Sequence, residues 1–77
     1  MNNLVNSIII EGIYQNGQLI NTKKFIGGEY VSIFKLKFYN DKMKNYCVEG
    51  KGLRIVGWLA QIDNEVVIVP EHLEVRS

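Results

Sequence analysis

The sequence predicts an all-β domain, and three features of its pattern carry that prediction. Residues 53–60 (LRIVGWLA) and residues 30–40 (YVSIFKLKFYN) alternate between the two faces of a strand, which is typical of a strand with one buried face. Residues 65–69 are nearly all β-branched and follow an Asp-Asn turn at positions 63–64, which predicts a hairpin. Gly57 lies in mid-strand, where glycine suits a sharp bend or a close backbone approach, as in a small closed barrel.

The first strand is predicted at Leu4–Tyr14, with Ile8 and Ile10 facing the core. Because three isoleucines follow one another, Ile9 must then point outward. Its outward face is covered either by a loop or by a second subunit. Ile9 is therefore the candidate interface residue, and the short chain gives a second reason to expect a homodimer, since small domains have marginal cores.

The stretch 19–26 lies between two turns, Asn16-Gly17 and Gly27-Gly28. It contains Lys23, Lys24 and Phe25. In this combination the lysines can bind the phosphates of a nucleic-acid backbone while the ring stacks on a base. The alternative interpretation is a solvated hairpin with Phe25 folded back as a lid on the barrel.

The strand at Tyr30–Asn40 has two chemically different faces. Phe34, Leu36 and Phe38 form the predicted core face. The opposite face carries a stripe of cations and one ring, namely Lys35, Lys37 and Tyr39. Single-strand binding uses this combination, because cations neutralise phosphates and rings stack on bases. A solvated strand face is the alternative.

A short third strand is predicted at Lys44–Glu49, with Tyr46 and Val48 facing inward, because a barrel without it would expose an unpaired edge. This prediction leaves no room for a helix before the next strand. A second alignment treats Met43–Val48 as the stub of a helix and removes the third strand.

Several stretches, taken in order, resemble the bacterial single-stranded DNA-binding protein family. KGLRIVGWLAQ and EVVIVPEHLEV resemble its fourth and fifth strands, residues 6–12 its first, and residues 30–40 its second. The resemblance covers most of the chain. It implies one domain over residues 1–77, a five-stranded antiparallel OB-fold barrel in the order one-two-three-five-four-one, without the family's helix between strands three and four.

The chain departs from this family at two further places. The loop between the fourth and fifth strands is short, and the family's long acidic-tipped tail has no counterpart before Ser77. We therefore expect a compact, tail-less member, similar also to primosomal replication protein N. The implied function is single-stranded DNA binding without strong sequence preference, in replication, recombination or repair. The alternative is an OB-fold protein-interaction module that has lost most DNA binding, and RNA binding stays open.

The expected nucleic-acid contacts are of two kinds. The phosphate contacts are Lys23, Lys24, Lys35, Lys37, Lys51 and Arg54, and the stacking residues are Tyr39 and Trp58. Trp58 shares the outward face of its strand with Arg54, so it is a stacking platform, the anchor of a protein interface or the cover of a loop.

The charge and cysteine content limit the other functions. The net charge is only +1, but residues 1–54 carry eight Lys or Arg against four Asp or Glu, and residues 55–77 carry one against four. The single Cys47 and single His72 argue against a disulfide, a metal site or a Cys–His catalytic pair. We expect a cytoplasmic protein of a bacterial type, with no enzymatic activity, no cofactor and no membrane association, whose partners are single-stranded DNA, a second copy of itself and replication or repair proteins.

Overall fold

The computed structural model describes residues 7–76, which form a closed five-stranded barrel with one short helix. The elements are β1 (Ser7–Gln15), β2 (Gln18–Ile26), β3 (Glu29–Leu36), α1 (Asp41–Asn45), β4 (Gly52–Ile62) and β5 (Glu65–Arg76). The order around the barrel is β1-β2-β3-β5-β4, and β4 pairs with β1 to close it. The predicted five-stranded barrel is confirmed, and the architecture is an OB-fold-like barrel. The numerical strand order also agrees, but its second and third strands are β2 and β3, and not residues 30–40 and 44–49 as predicted.

One strand pair differs from the antiparallel barrel that the sequence predicts. β3 and β5 run parallel, with Lys35 opposite Val67 and Leu36 opposite Ile68, whereas the other four pairs are antiparallel. Parallel neighbours need a long crossover connection. The chain provides one, because α1 and β4 both lie between β3 and β5 in the sequence.

Three two-residue turns fix the hairpins. They are Asn16-Gly17, Gly27-Gly28 and Asp63-Asn64, and all six residues have positive φ, between 50° and 90°. Positive φ at both central positions matches the right-handed twist of the flanking strands, and Asn, Asp and Gly are the residues that adopt it most readily. The turns predicted at these positions are therefore present.

Residues 18–26 form a full strand, β2, where the sequence analysis expected only a hairpin segment. The pairing of β2 with β3 shifts between Ile20 and Lys24, and Asn21 has a φ of 59°. Thr22 is buried at this irregularity, and its hydroxyl donates a 2.8 Å hydrogen bond to the carbonyl of Val31. This bond satisfies the buried hydroxyl, so the shifted region joins the sheet without an unpaired side chain at Thr22.

The predicted absence of a helix before β4 is wrong, because α1 occupies Asp41–Asn45. Asn40 is its N-cap, and the side-chain oxygen of Asn40 accepts a 2.9 Å hydrogen bond from the N–H of Met43. Within residues 7–76, no helix reaches the length and apolar content that crossing a membrane requires.

The predicted third strand at Lys44–Glu49 is also wrong. The chain after α1 is irregular up to Lys51, and both Tyr46 and Val48, expected inward, are exposed. β2 supplies the strand that the barrel needs, so residues 44–49 are not required as a strand. The alternative alignment, which treated Met43–Val48 as a helix stub, is nearer to the structure.

Other strand bounds differ by a few residues. Residues 4–6 of the predicted first strand lie outside the described residues. β3 ends at Leu36 and not at Asn40, although the N–H of Lys37 still donates to the carbonyl of Ile68 at 2.9 Å. β5 continues through Pro70 to Arg76, and Pro70 lies where the pairing of β4 with β5 shifts, a position that tolerates proline.

The core fills the barrel interior with side chains from every strand. Its buried members are Ile10, Tyr14, Leu19, Phe34, Leu53, Ile55 and Ile68. The inward predictions for Ile10 and Phe34 are therefore confirmed, while Leu36 and Phe38 are partly buried against the same cluster. Leu53 and Ile55 are buried on the face of β4 opposite to the predicted outward residues Arg54 and Trp58. Gly57 is buried at the point where the pairing of β4 with β5 shifts, and a Cβ there would collide with the carbonyl oxygen of Val69. The predicted close backbone approach at Gly57 is present.

Phe34→Ala is expected to destabilise the protein by about 3–5 kcal/mol, because Phe34 is only 2% exposed and its loss leaves a cavity. Its neighbour Ile33 is 54% exposed, so Ile33→Ala is the matched control and should cost about 1 kcal/mol or less. Chemical denaturation of the three proteins measures both effects. Equal stability of the parent and Phe34→Ala would contradict the inward orientation of Phe34 and with it the pairing of β3 with β2.

Candidate nucleic-acid interface

Two aromatic rings stand exposed at the tip of the β2–β3 hairpin. Phe25 and Tyr30 lie directly opposite each other, and their ring centroids are 5.0 Å apart in an edge-to-face arrangement. Phe25 is 58% exposed and Tyr30 is 74% exposed, so neither ring fills the core. The alternative in which Phe25 folds back as a lid on the barrel is wrong. The pair offers two π surfaces to solvent on one side of the barrel.

The solvent-exposed surface of this hairpin also carries aliphatic and cationic side chains. Ile20 and Ile33 form a cross-strand pair, and Gln18 and Lys35 form another. Lys23 is exposed on β2 between the irregularity and the aromatic pair. We call this surface the β2–β3 face, and its members are Ile20, Lys23, Phe25, Tyr30, Ile33 and Lys35. Rings, aliphatic side chains and ammonium groups are thus exposed on one hairpin.

Lys35 already has an anionic neighbour. Its Nζ lies 2.7 Å from Oε2 of Glu65, and both side chains are about half exposed. Glu65 is the first residue of β5 and follows the Asp63-Asn64 turn directly. The short turn between β4 and β5 therefore places a carboxylate at the edge of the β2–β3 face.

The other predicted lysine and tyrosine contacts are spread around the barrel. Lys24 is half-buried, and its Nζ donates a 3.3 Å hydrogen bond to the carbonyl of Ile9 on β1. Lys37 and Tyr39 are exposed on the segment that follows β3, at the end of the strand that carries Lys35. Lys51 is exposed in the loop before β4, where its carbonyl accepts from the N–H of Tyr14 at 3.0 Å.

Arg54 lies on a different surface, among carboxylates. Its guanidinium is 3.6 Å from Glu11 on β1 and 3.7 Å from Glu74 on β5, and Glu74 also pairs with Arg76 at 3.3 Å. These ion pairs are partly exposed and add little stability individually. For binding, the ion pairs mean that the positive charge of Arg54 is already neutralised by Glu11 and Glu74 within the protein.

Trp58 and Ile9 share an apolar surface on β1 and β4. Ile9 lies opposite Val56, and Ser7 lies opposite Trp58. Ile9 is 49% exposed and Trp58 is 40% exposed. We call the surface formed by Ile9, Val56 and Trp58 the β1–β4 face. Neighbouring residues on β1 and β4 such as Ile10 and Ile55 point into the core, so this face and the core use opposite sides of the same strands.

The structure therefore exposes Lys23, Lys35 and two rings on one hairpin, and it places Arg54 and Trp58 on β4. Tyr30 and Ile33 are the exposed residues of the β2–β3 face that the sequence analysis did not select. The sequence did contain a signal for Tyr30. In FIGGEY, a two-residue Gly-Gly turn necessarily pairs Phe25 with Tyr30, so one exposed ring predicts the other.

The groups with catalytic potential are few among the described residues. Burial raises the pKa of the Cys47 thiol, which keeps the sulfur protonated and poorly nucleophilic at neutral pH. Residues 7–76 contain no group of three His, Cys, Asp or Glu side chains that could hold a metal ion. The arrangement on the β2–β3 face supplies binding chemistry, namely stacking, apolar contact and attraction of anions.

Comparisons with protein-family models, with curated proteins and with solved structures found no match to this chain.

Proposed function

We propose that this protein binds single-stranded DNA without strong sequence preference, through the β2–β3 face, in replication, recombination or repair. The observation that carries the proposal is the exposed Phe25–Tyr30 pair on a hairpin that also exposes Lys23 and Lys35. OB-fold barrels commonly bind oligonucleotides on the surface of their second and third strands. That fold-level analogy adds to the chemical argument and does not replace it.

The aromatic pair suits unpaired bases. Every base has a π surface, so stacking on Phe25 or Tyr30 tolerates any sequence. Bases in a duplex are already stacked on one another, which leaves their faces unavailable. The Ile20–Ile33 pair lies on the same hairpin, and the exposed Ile33 adds apolar surface to it.

The cations suit the backbone of the same strand. Lys23 on β2, Lys35 on β3 and Lys37 just after β3 are exposed and can neutralise phosphates. With a net charge of only +1, the chain attracts nucleic acid through this local arrangement more than through its overall charge. We therefore expect modest affinity that weakens as salt is added.

Removing a ring of the platform should weaken binding without changing its salt dependence. Tyr30→Ala and Phe25→Ala are each expected to lose about 1–3 kcal/mol, because each removes stacking on a base but no charge. Fluorescence anisotropy of labelled oligothymidine, titrated at several salt concentrations, measures both quantities. Trp58→Ala is the matched control, since it removes an exposed ring from the β1–β4 face and should leave DNA affinity unchanged. An equal loss in Trp58→Ala would show that the stacking surface lies elsewhere.

Removing the cations should change the salt dependence. Each phosphate contact on a single strand contributes about −0.7 to the slope of log K against log salt, so Lys23→Gln with Lys35→Gln should flatten the slope by about 1.4. The control is Lys44→Gln with Lys42→Gln on α1, which makes the same charge change away from the hairpin. Similar flattening in both double variants would assign the effect to net charge. Absence of binding by the parent at low salt would overturn the proposed function, and tighter binding of oligouridine would make RNA the ligand.

A second candidate function is a protein-interaction module, and the β1–β4 face favours it. Ile9, Val56 and Trp58 form a continuous apolar surface that no described residue covers fully. The ion pairs of Arg54 with Glu11 and Glu74 flank it, so charges of both signs are available to a symmetric partner. On this proposal the first partner is a second copy of the chain.

The parent is expected to sediment as a homodimer at micromolar concentration, and Ile9→Glu should convert it to a monomer of 8.8 kDa. The physical reason is the cost of burying a carboxylate in an apolar interface. Ile33→Glu places the same charge on the β2–β3 face and should leave the dimer intact. Analytical ultracentrifugation distinguishes these outcomes, and a monomeric parent would contradict the dimer.

A further inference from the structure

We propose that Glu65 limits the affinity of the β2–β3 face by competing with a DNA phosphate for Lys35. This inference depends on the proposed function, because it concerns the same site. It assigns to the turn between β4 and β5 a role opposite to that of a binding loop. The residue after the turn, Glu65, forms an ion pair with Lys35 when DNA is absent.

The geometry of the pair supports direct competition. The Nζ of Lys35 lies 2.7 Å from Oε2 of Glu65, which is the distance of a charge-assisted hydrogen bond. A phosphate oxygen that binds this ammonium group seeks the same kind of contact. Both side chains are about half exposed, so an incoming phosphate can reach the pair without opening the core.

The backbone on both sides of the pair is held in place. Lys35 pairs with Gln18 on β2 and with Val67 on β5, and Glu65 pairs with Ile62 across the hairpin. The Asp63-Asn64 turn has only two residues, both with positive φ, so Glu65 cannot move away by a loop rearrangement. Displacement of its carboxylate must occur by side-chain rotation.

Lys35 differs from the exposed lysines Lys23 and Lys37 in having an ion-pair partner within the protein. The ion pairs among residues 7–76 involve Lys35, Arg54 and Arg76, whereas Lys23 and Lys37 form none. Lys23 and Lys37 can therefore bind a phosphate without losing an internal partner. An exposed ion pair contributes at most about a fivefold factor to an equilibrium, which sets the expected size of the competition.

A double-mutant cycle on the full chain tests the proposal, with labelled oligothymidine as the probe at about 0.1 M salt. Glu65→Gln should tighten binding by about threefold to fivefold, because it frees Lys35 and keeps the size of the side chain. In a Lys35→Gln background the same substitution should change the affinity by less than about twofold, because the competed cation is gone. Glu71→Gln is the charge-matched control, since Glu71 is also exposed on β5 and forms no ion pair among the described residues.

The outcomes separate the two proposals. Tightening by Glu65→Gln that disappears in the Lys35→Gln background supports competition. Tightening that persists there, or that Glu71→Gln reproduces, would overturn it, because the effect would then be general electrostatic repulsion. Unchanged affinity in Glu65→Gln, with clear binding by the parent, would overturn the competition and leave the proposed function standing. No binding by the parent or by any variant would overturn both. Glu65→Ala serves as a second variant, and thermal melting confirms that each protein is folded.

Discussion

The closure of the barrel depends on places where one backbone meets another with no side chain between them. At Gly57, a Cβ would collide with the carbonyl of Val69, and at Gly12 a Cβ would lie 2.5 Å from the carbonyl of Ile20. These two glycines lie on β4 and β1, the strands whose pairing closes the barrel. Without such close approaches, five short strands could not coil tightly enough to enclose a core this small. The remaining features of the structure, including which faces are exposed, follow from that closure.

In the closed barrel each strand has one face toward the core and one toward solvent. The solvent faces of the different strands differ chemically. On β1, β4 and β5 the charges near Arg54 are matched within the protein, and the exposed residues beside them are apolar. On β2 and β3 the exposed rings lie beside lysines, of which one is paired with a carboxylate. The first surface suits a protein partner with a similar surface, and the second suits a flexible polyanion with aromatic bases. Both proposals can hold together, since the two faces share no residue.

The region between β3 and β4 shows why the local residue pattern could not predict the third strand of the barrel correctly. Residues 44–49 (KNYCVE) alternate well enough to suggest a strand, and the expectation of a closed barrel demanded one more strand. The missing strand is β2, whose alternation is interrupted at Asn21 and Thr22. A register shift hides the period-two pattern. Before the shift every second residue faces inward, and after it the other set of alternate residues does. Asn40 as N-cap and Asp41 in the first turn were local signals for α1, and they indicate the helix correctly.

Residue spacing alone was enough to predict the strands with unbroken alternation and their turns. The all-β class, the inward positions Ile10 and Phe34, the outward position of Ile9 and the special role of Gly57 all follow from it. Spacing equally predicts that Lys35 points outward, since side-chain direction is a local property of a strand. It could not predict which outward residues are neighbours. The folded barrel places Arg54 between Glu11 and Glu74 and places Glu65 against Lys35, because distances across a barrel depend on strand order and register and not on separation along the chain.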